Sequence, residues 1–261
     1  MNEAKRLGGW LFLGRTHGMI FSVISPAILL MIWEGVCRAG LIIPTLLPAP
    51  TAVFFRLVDV LPDPEFLHHL GQTMIRLLSG FAIALVTGVS LGLGASGRGS
   101  LVLEPIIRVL APIPKIALYP AFVLIFGFEH TSKIALVVAD AVFPILLATL
   151  HGARAVEPKL LWSAWAAGAS RRMSIFTVIL PSALPAILTG CRIALLIACV
   201  TVFLAEMISS TDGLGHLMIR SARSFRIIDM FVPLILISGI GLFLNAILLA
   251  ARKRLLAGFD H

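Results

Sequence analysis

The sequence predicts an all-α membrane protein with about six transmembrane helices. Of its 261 residues, 59% are hydrophobic and only 13% are charged, and the mean hydropathy is +1.01. These values are typical of a chain that lies in a bilayer rather than of a soluble globular domain. The apolar residues also form runs of about 20, the length that a helix needs to cross the hydrocarbon core.

Three spans are predicted in the first half of the chain. Residues 18–36 form the first, after a cytoplasmic N-terminal segment 1–17 that shows no convincing signal-peptide cleavage site. Residues 42–66 contain five prolines and several charges, which predicts an external loop with short helical pieces. The second span covers 74–95. The third, 103–126, holds prolines and charges and is expected to be broken, which lipid tolerates only beside protein or water.

Three further spans are predicted at 133–150, 182–208 and 228–251, followed by a cytoplasmic tail at 255–261. Together the six spans make one permease domain over 18–254. The polar, Trp-containing loop 154–181 is long for a connection between neighbouring spans, which indicates a function of its own.

The charge pattern indicates membrane topology rather than nucleic-acid binding. The net charge is +8, but Lys and Arg flank the apolar runs and form no continuous basic face. With both termini in the cytoplasm, eleven Lys and Arg residues lie inside and six outside, which favours this orientation.

No motif predicts a metal site or catalysis. The three cysteines show no CxxC spacing, and the pair His68-His69 is interpreted as two solvated loop residues without a third ligand. Protease and esterase signatures are absent, and so is the GxxxxGK[ST] loop that would bind ATP. We therefore expect no enzyme activity, no metal and no bound cofactor.

The segment WSAWAAGASRRMSIFTVILP, from Trp162 to Pro181, resembles the EAA loop of bacterial ABC importer permeases. Ala164, Gly168 and the Leu-Pro pair ending at Pro181 match that pattern, whereas Trp162 stands where the family usually has Glu. The apolar residues recur at three- and four-residue spacing, which predicts a short amphipathic helix. Without the resemblance, an ordinary interfacial helix explains this periodicity equally well.

The resemblance extends over about 46–258 and is closest to the sulfonate, taurine and nitrate permease branch. Its carriers are LLPAPTAV from Leu46, GFAIALVTGVSLGLGAS from Gly80, PIPKIALYPAFVLIFGFEHTSKI from Pro112, LPSALPAILTGCRIAL from Leu180, AEM from Ala205 and DGLG from Asp212. Each motif is weak alone, but their order and spacing make the combination specific.

This resemblance implies the transmembrane domain of a type I ABC importer in the bacterial inner membrane. Two copies of the chain would form the pathway for a small solute, an organic or inorganic anion. Two separate ATPase subunits would bind ATP and Mg²⁺ and dock on the cytoplasmic loop, and an extracytoplasmic binding protein would deliver the solute. The residues expected to couple the chain to the ATPases are Trp162, Ala164, Trp165, Gly168, Arg171 and Arg172.

Candidates for the translocation path are Lys115, Tyr119, Arg192 and Glu206. Ionisable groups inside spans are costly and therefore functional candidates, and Lys115 and Tyr119 lie in the proline-broken third span. Arg192, like Arg76, could instead extend to the headgroups. Glu206 could instead brace the external loop through Arg220 or Arg223.

Three other classes remain open at the level of sequence. A self-contained secondary transporter would normally show two related halves and a central ion site, and no internal repeat is evident. A structural membrane subunit and the coupling subunit of a vitamin importer are the others. The spacing of Gly168 and the Leu-Pro pair favours the importer permease.

Overall fold

A computed structural model describes residues 24–43, 46–97 and 99–256, and this part of the chain is helical and contains no strand. The helices up to the middle of the chain are α1 (24–38), α2 (Pro50–Val60), α3 (Pro64–Gly94), α4 (Ser100–Leu110) and α5 (Tyr119–Phe126), with a 3-10 turn at Lys115–Leu118 before α5. The later helices are α6 (His130–Arg154), α7 (Pro158–Ala166), α8 (Arg171–Ser174), α9 (Leu180–Ile208), α10 (Leu214–Arg223) and α11 (Ile227–Leu256).

Within the described residues, four continuous helices are long and apolar enough to cross a membrane, at Pro64–Gly94, His130–Arg154, Arg171–Ile208 and Ile227–Leu256. The pair Ser100–Leu110 and Lys115–Phe126 gives a fifth crossing if it counts as one bent span. The first predicted span, 18–36, lies partly outside the described residues, and α1 represents its later part. The all-α fold is as predicted, and the count of six stays a prediction.

The predicted third span is broken as its prolines indicate. Helices α4 and α5, with the 3-10 turn between them, are bent by 80° relative to each other. Pro112 and Pro114 lie in the gap, where each lacks the N–H that would continue a helical hydrogen-bond ladder. This break places Lys115 at a bend in the backbone rather than on a straight helix.

Two helices extend beyond the spans predicted within them, and the membrane boundaries stay predictions. Helix α3 begins at Pro64, before the predicted span 74–95, and its start is fixed by Asp63, whose side chain accepts a hydrogen bond from the N–H of Glu65. Before the predicted span 182–208, helix continues from Arg171 through a π-helical turn at Ile175–Ile179. The turn directly precedes Pro181, whose missing N–H interrupts α-helical bonding at this point.

The core of the bundle is formed by α3, α6 and α9. Glycines on α3 let α6 approach closely: a Cβ on Gly80 would lie 2.6 Å from a methyl carbon of Val137, and one on Gly88 would lie 2.9 Å from Ile145. A Cβ on Gly92 would lie 2.6 Å from the Cβ of Thr149. In lipid, no hydrophobic force brings helices together. Small residues stabilise the helix pair instead, because they allow close van der Waals packing.

Candidate transport and coupling sites

Helix α7 projects from the bundle between α6 and α8. None of its residues is buried, and Trp162 and Trp165 are 62% and 48% exposed. Pro158 starts the helix at the position where its missing N–H is not needed. The described protomer therefore leaves two large aromatic side chains of this helix without a covering surface.

Gly168 ends α7 in a left-handed conformation, with φ of +86°. The N–H of Gly168 donates to the carbonyl of Trp165 at 2.9 Å, and the N–H of Ala169 donates to that of Ala164, also at 2.9 Å. This pair of bonds is the Schellman motif, which favours glycine at the first position after the helix cap. Sequence reasoning assigned Gly168 to the turn and to close approach by a partner. The structure supplies the reason for the turn, the positive φ.

The predicted coupling residues lie together in one segment between α6 and α9. Arg171 and Arg172 are exposed at the start of α8, where Ser170 accepts a hydrogen bond from the N–H of Met173 at 3.2 Å. Ala164 is half-buried on the inner side of α7. The segment thus combines an exposed aromatic helix, a tight turn and two exposed cations.

Glu206 lies in a buried polar network at the other end of the bundle. Its carboxylate accepts a hydrogen bond from Arg76 Nη1 at 2.7 Å and from Thr73 Oγ1 at 2.8 Å. Arg76 also pairs with Asp212. Glu206 therefore pairs with Arg76 inside the protein and not with Arg220 or Arg223 as expected, and Arg76 does not extend to the headgroups. Within the described residues, Nε of Arg76 is buried without a hydrogen-bond partner.

The DGLG segment folds around this carboxylate. The N–H of Gly215 donates to Glu206 at 3.1 Å, and the N–H of Leu214 donates to Thr73 Oγ1 at 2.8 Å. The N–H of Gly213 donates to Nδ1 of His69 at 3.0 Å. His69 is therefore a buried helix residue, and its interpretation as a solvated loop residue is wrong. The spacing of His69, Thr73 and Arg76 on one helical face was the signal that could have shown this.

The network lies beside a cavity of about 820 Å³ at the same end of the molecule. Its lining includes Arg76, Lys133, Asp212, His216, Arg220 and Arg223. Burial raises the pKa of Asp212, but the hydrogen bond and the charge of Arg76 outweigh it and hold the pKa below its ordinary value. Arg220 is neutralised by Glu65 at 2.7 Å. Of the basic residues here, Arg76 and Arg220 are in ion pairs, whereas Lys133 donates to the backbone carbonyls of Phe128 and Glu129.

Lys115 lies at the break between α4 and α5, beside a second cavity of about 520 Å³. Its ammonium donates to the carbonyl of Ala111 at 2.7 Å and lies 4.6 Å from the ring centroid of Phe143. The nearest carboxylate oxygen is Oδ1 of Asp140 at 3.8 Å, and Oδ2 of Asp140 accepts from Thr201 at 2.6 Å. Asp140 is not among the site residues predicted from the sequence.

Arg192 is exposed on α9, and its Nε donates to Asn245 of α11 at 2.9 Å. At 1.5 Å per residue it lies roughly 18 Å along the helix from Leu180, well inside the apolar part of the span. Tyr119 is fully buried and donates its hydroxyl to the carbonyl of Ser209 at 3.2 Å. The structure places Lys115 at a cavity, Arg192 on an exposed face of α9, and Tyr119 and Glu206 in interior packing.

Comparison with known proteins agrees with this architecture. Residues 80–259 match the family model described as binding-protein-dependent transport system inner membrane component. The chain belongs to this family. Within the described residues, no group of three His, Cys, Asp or Glu side chains could hold a metal ion.

Two relatives align with almost the whole chain. The taurine transport system permease protein TauC of Escherichia coli (strain K12) is 34% identical over 242 residues, covering 89% of this chain and 87% of that protein. A permease named for aliphatic sulfonate transport, SsuC of Bacillus subtilis (strain 168), is 31% identical over 245 residues, covering 93% and 88%.

The fold is also similar to that of a solved importer. A membrane chain of the MetNI methionine ABC transporter superposes with a TM-score of 0.57 over 76% of this chain and 95% of that one, at 20% identity. The fold is thus that of a type I ABC importer transmembrane domain. The chain is a multi-pass, non-catalytic permease subunit, whose family works with a separate ATPase and a solute-binding protein.

Proposed function

We propose that two copies of this chain form the translocation path for a small organic sulfonate in a bacterial cytoplasmic membrane. Two ATPase subunits, which bind ATP and Mg²⁺, dock on the cytoplasmic segment that contains α7. An extracytoplasmic binding protein delivers the solute to the opposite side.

The single observation that carries the coupling proposal is the exposure of α7. A short helix with two uncovered Trp side chains, followed by Arg171 and Arg172, has the aromatic and Arg composition enriched at protein interfaces. An interfacial helix would use the same Trp residues as anchors in lipid headgroups. The match of the family to residues 80–259, which include this loop, favours ATPase docking.

The open face of α9 supports the location of the path. Exposed residues recur on it at three- and four-residue spacing, and they are Ile193, Leu196, Val200, Leu204 and Ile208. Arg192 lies beside this stripe. Exposing its charged side chain to lipid at this depth would cost free energy. A second copy packed along α9 would remove Arg192 and the stripe from lipid.

The sulfonate assignment rests on two supports. TauC and SsuC are named for taurine and aliphatic sulfonates. Lys115 at its cavity and Arg192 on the exposed face of α9 are cations that can hydrogen-bond sulfonate oxygens. We propose both residues as members of the path.

Reconstitution tests the proposal. Proteoliposomes with the permease, its ATPase and its binding protein are expected to accumulate taurine only when ATP is supplied. The permease alone is expected neither to hydrolyse ATP nor to accumulate solute. Concentrative uptake by the lone chain, driven by a proton or sodium gradient, would show instead that it is a secondary transporter.

The length of helix Arg171–Ile208 predicts on which sides of the membrane its two ends lie. Its 38 residues measure about 57 Å at 1.5 Å per residue, which exceeds the hydrocarbon core of about 30 Å. Ala166 and Thr211, both exposed just beyond its ends, should therefore lie on opposite sides of the membrane. Single cysteines at these positions, with Cys37, Cys191 and Cys199 replaced by Ala, should react with an impermeant thiol reagent from opposite sides. Labelling of both from the same side would contradict this orientation.

A further inference from the structure

Lys115 and Asp140 form an incomplete ion pair at the cavity of about 520 Å³. Their nearest charged atoms, Nζ and Oδ1, are 3.8 Å apart, beyond hydrogen-bond distance. The two side chains are only 10% and 25% exposed. A buried ion pair offsets the cost of desolvation only with good geometry and full hydrogen bonding, and this pair has neither.

Both partners keep unused hydrogen-bonding capacity. An ammonium has three N–H donors, and within the described residues Lys115 uses one of them, on the carbonyl of Ala111. Thr201 donates to Oδ2 of Asp140, whereas Oδ1 has no donor within hydrogen-bond distance in the described part of the chain. The free donors and the free acceptor therefore lie side by side at one cavity.

Apart from Thr201, the rest of the cavity lining is apolar. Its other lining residues include Ile113, Ile116, Leu196, Ile197, Val200 and Leu204. A mostly apolar pocket of several hundred Å³ with a few convergent polar groups is the usual form of a small-molecule site. The lining from α9 includes Leu196, Val200 and Leu204 of its open face, so the cavity adjoins the proposed path.

A simple anion fits this pair poorly, because an anion close enough to bind Lys115 would also meet the Asp140 carboxylate. A solute with opposite charges separated by a short linker matches both groups: its sulfonate accepts from Lys115 and its ammonium donates to Asp140. We infer that this cavity is a binding site for a zwitterionic amino sulfonate, with Asp140 selecting the amine. This inference rests on the proposed function and narrows its substrate class.

The test compares taurine with ethanesulfonate, which is of similar size but lacks the amine. In proteoliposomes with ATPase and binding protein, Asp140→Asn keeps an oxygen that Thr201 can hydrogen-bond but removes the charge. We expect the preference for taurine over ethanesulfonate to fall at least about tenfold in this variant, since a site built to pair a polar group discriminates strongly against its absence. Lys115→Gln should weaken uptake of both compounds.

Asp59→Asn is the matched control, because Asp59 is an exposed carboxylate on α2 outside the cavity, and it should leave the preference unchanged. The same binding protein is used throughout, so a changed preference belongs to the permease. Membrane abundance and ATPase co-purification check that each variant folds.

If Asp140→Asn does not fold, the wild-type permease–ATPase complex without binding protein provides a second measurement. Ethanesulfonate should displace bound radiolabelled taurine at least about ten times less well than unlabelled taurine does. Equal displacement, or an unchanged preference in a folded Asp140→Asn variant, would overturn the inference and leave the sulfonate path intact. Uptake of neither compound would instead overturn the sulfonate assignment, and the inference with it.

Discussion

Replacing Glu206 with Ala is expected to destabilise the permease by about 3–5 kcal/mol, the usual cost of removing one partner from a buried ion pair. Glu206 is 1% exposed and accepts hydrogen bonds from Arg76, Thr73 and the N–H of Gly215. Its loss would leave donors buried without acceptors and release the segment at Gly213–Gly215 from α3. Chemical unfolding of the purified subunit in detergent micelles measures the change.

A double substitution separates the charge from the packing. Arg76→Met combined with Glu206→Leu should recover only part of the lost stability, because it removes the unpaired buried charge of Arg76 but leaves Asp212, which is 25% exposed, without its partner. Glu104→Ala is the control: Glu104 pairs with Arg108 and Arg154 near the surface, and its loss should change the stability little. Wild-type stability in Glu206→Ala would mean that the network does not hold the outer end of the bundle together.

Replacing Gly168 with Ala is expected to weaken association with the ATPase about 5- to 30-fold. The left-handed conformation costs a residue with a Cβ roughly 1–2 kcal/mol, and tenfold in affinity corresponds to about 1.4 kcal/mol. The permease itself should reach the membrane in normal amounts, since no atom of the described protomer lies within 4 Å of a Cβ at this position. Co-purification of the ATPase with the membrane-extracted permease measures the effect.

Two variants distinguish the effect of the backbone conformation at Gly168 from the effect of side-chain size. Gly168→Asn carries a larger side chain, but Asn tolerates the left-handed region, so it should retain more ATPase than Gly168→Ala does. Gly94→Ala makes the same substitution at the end of α3, where φ is not positive and the surrounding space is open, and it should have no effect. If Gly168→Ala binds the ATPase like the wild type, the turn after α7 is not needed for docking.

Helix Arg171–Ile208 connects the two proposed activities of the chain. Its first residues follow the α7 turn, its middle carries Arg192, and Glu206 lies near its C-terminal end. A continuous helical segment is a kind of connection that carries coupling between distant sites, although the π-helical turn at Ile175–Ile179 interrupts this one near its start. We expect movement of the docking segment to be transmitted to the path through this helix.

The sequence alone determined the membrane class, the approximate position of most spans, the break at Pro112–Pro114 and the separate helix in loop 154–181. These features follow from local properties: the length of apolar runs, proline's missing N–H and helical periodicity, each contained within a few turns of chain. The turn at Gly168 belongs to the same group, because its chemistry depends on adjacent residues.

Only the tertiary structure decided the partners of the buried charges. Arg76 and Glu206 are 130 residues apart, and Asp140 and Thr201 are 61 apart, so no local pattern pairs them. Sequence reasoning placed Arg76 at the headgroups and His69 in water because a lone polar residue near a span end has several possible environments. The packing of α3 and α6 against α9 selects one of them, since most buried donors and acceptors must find a partner where the helices meet.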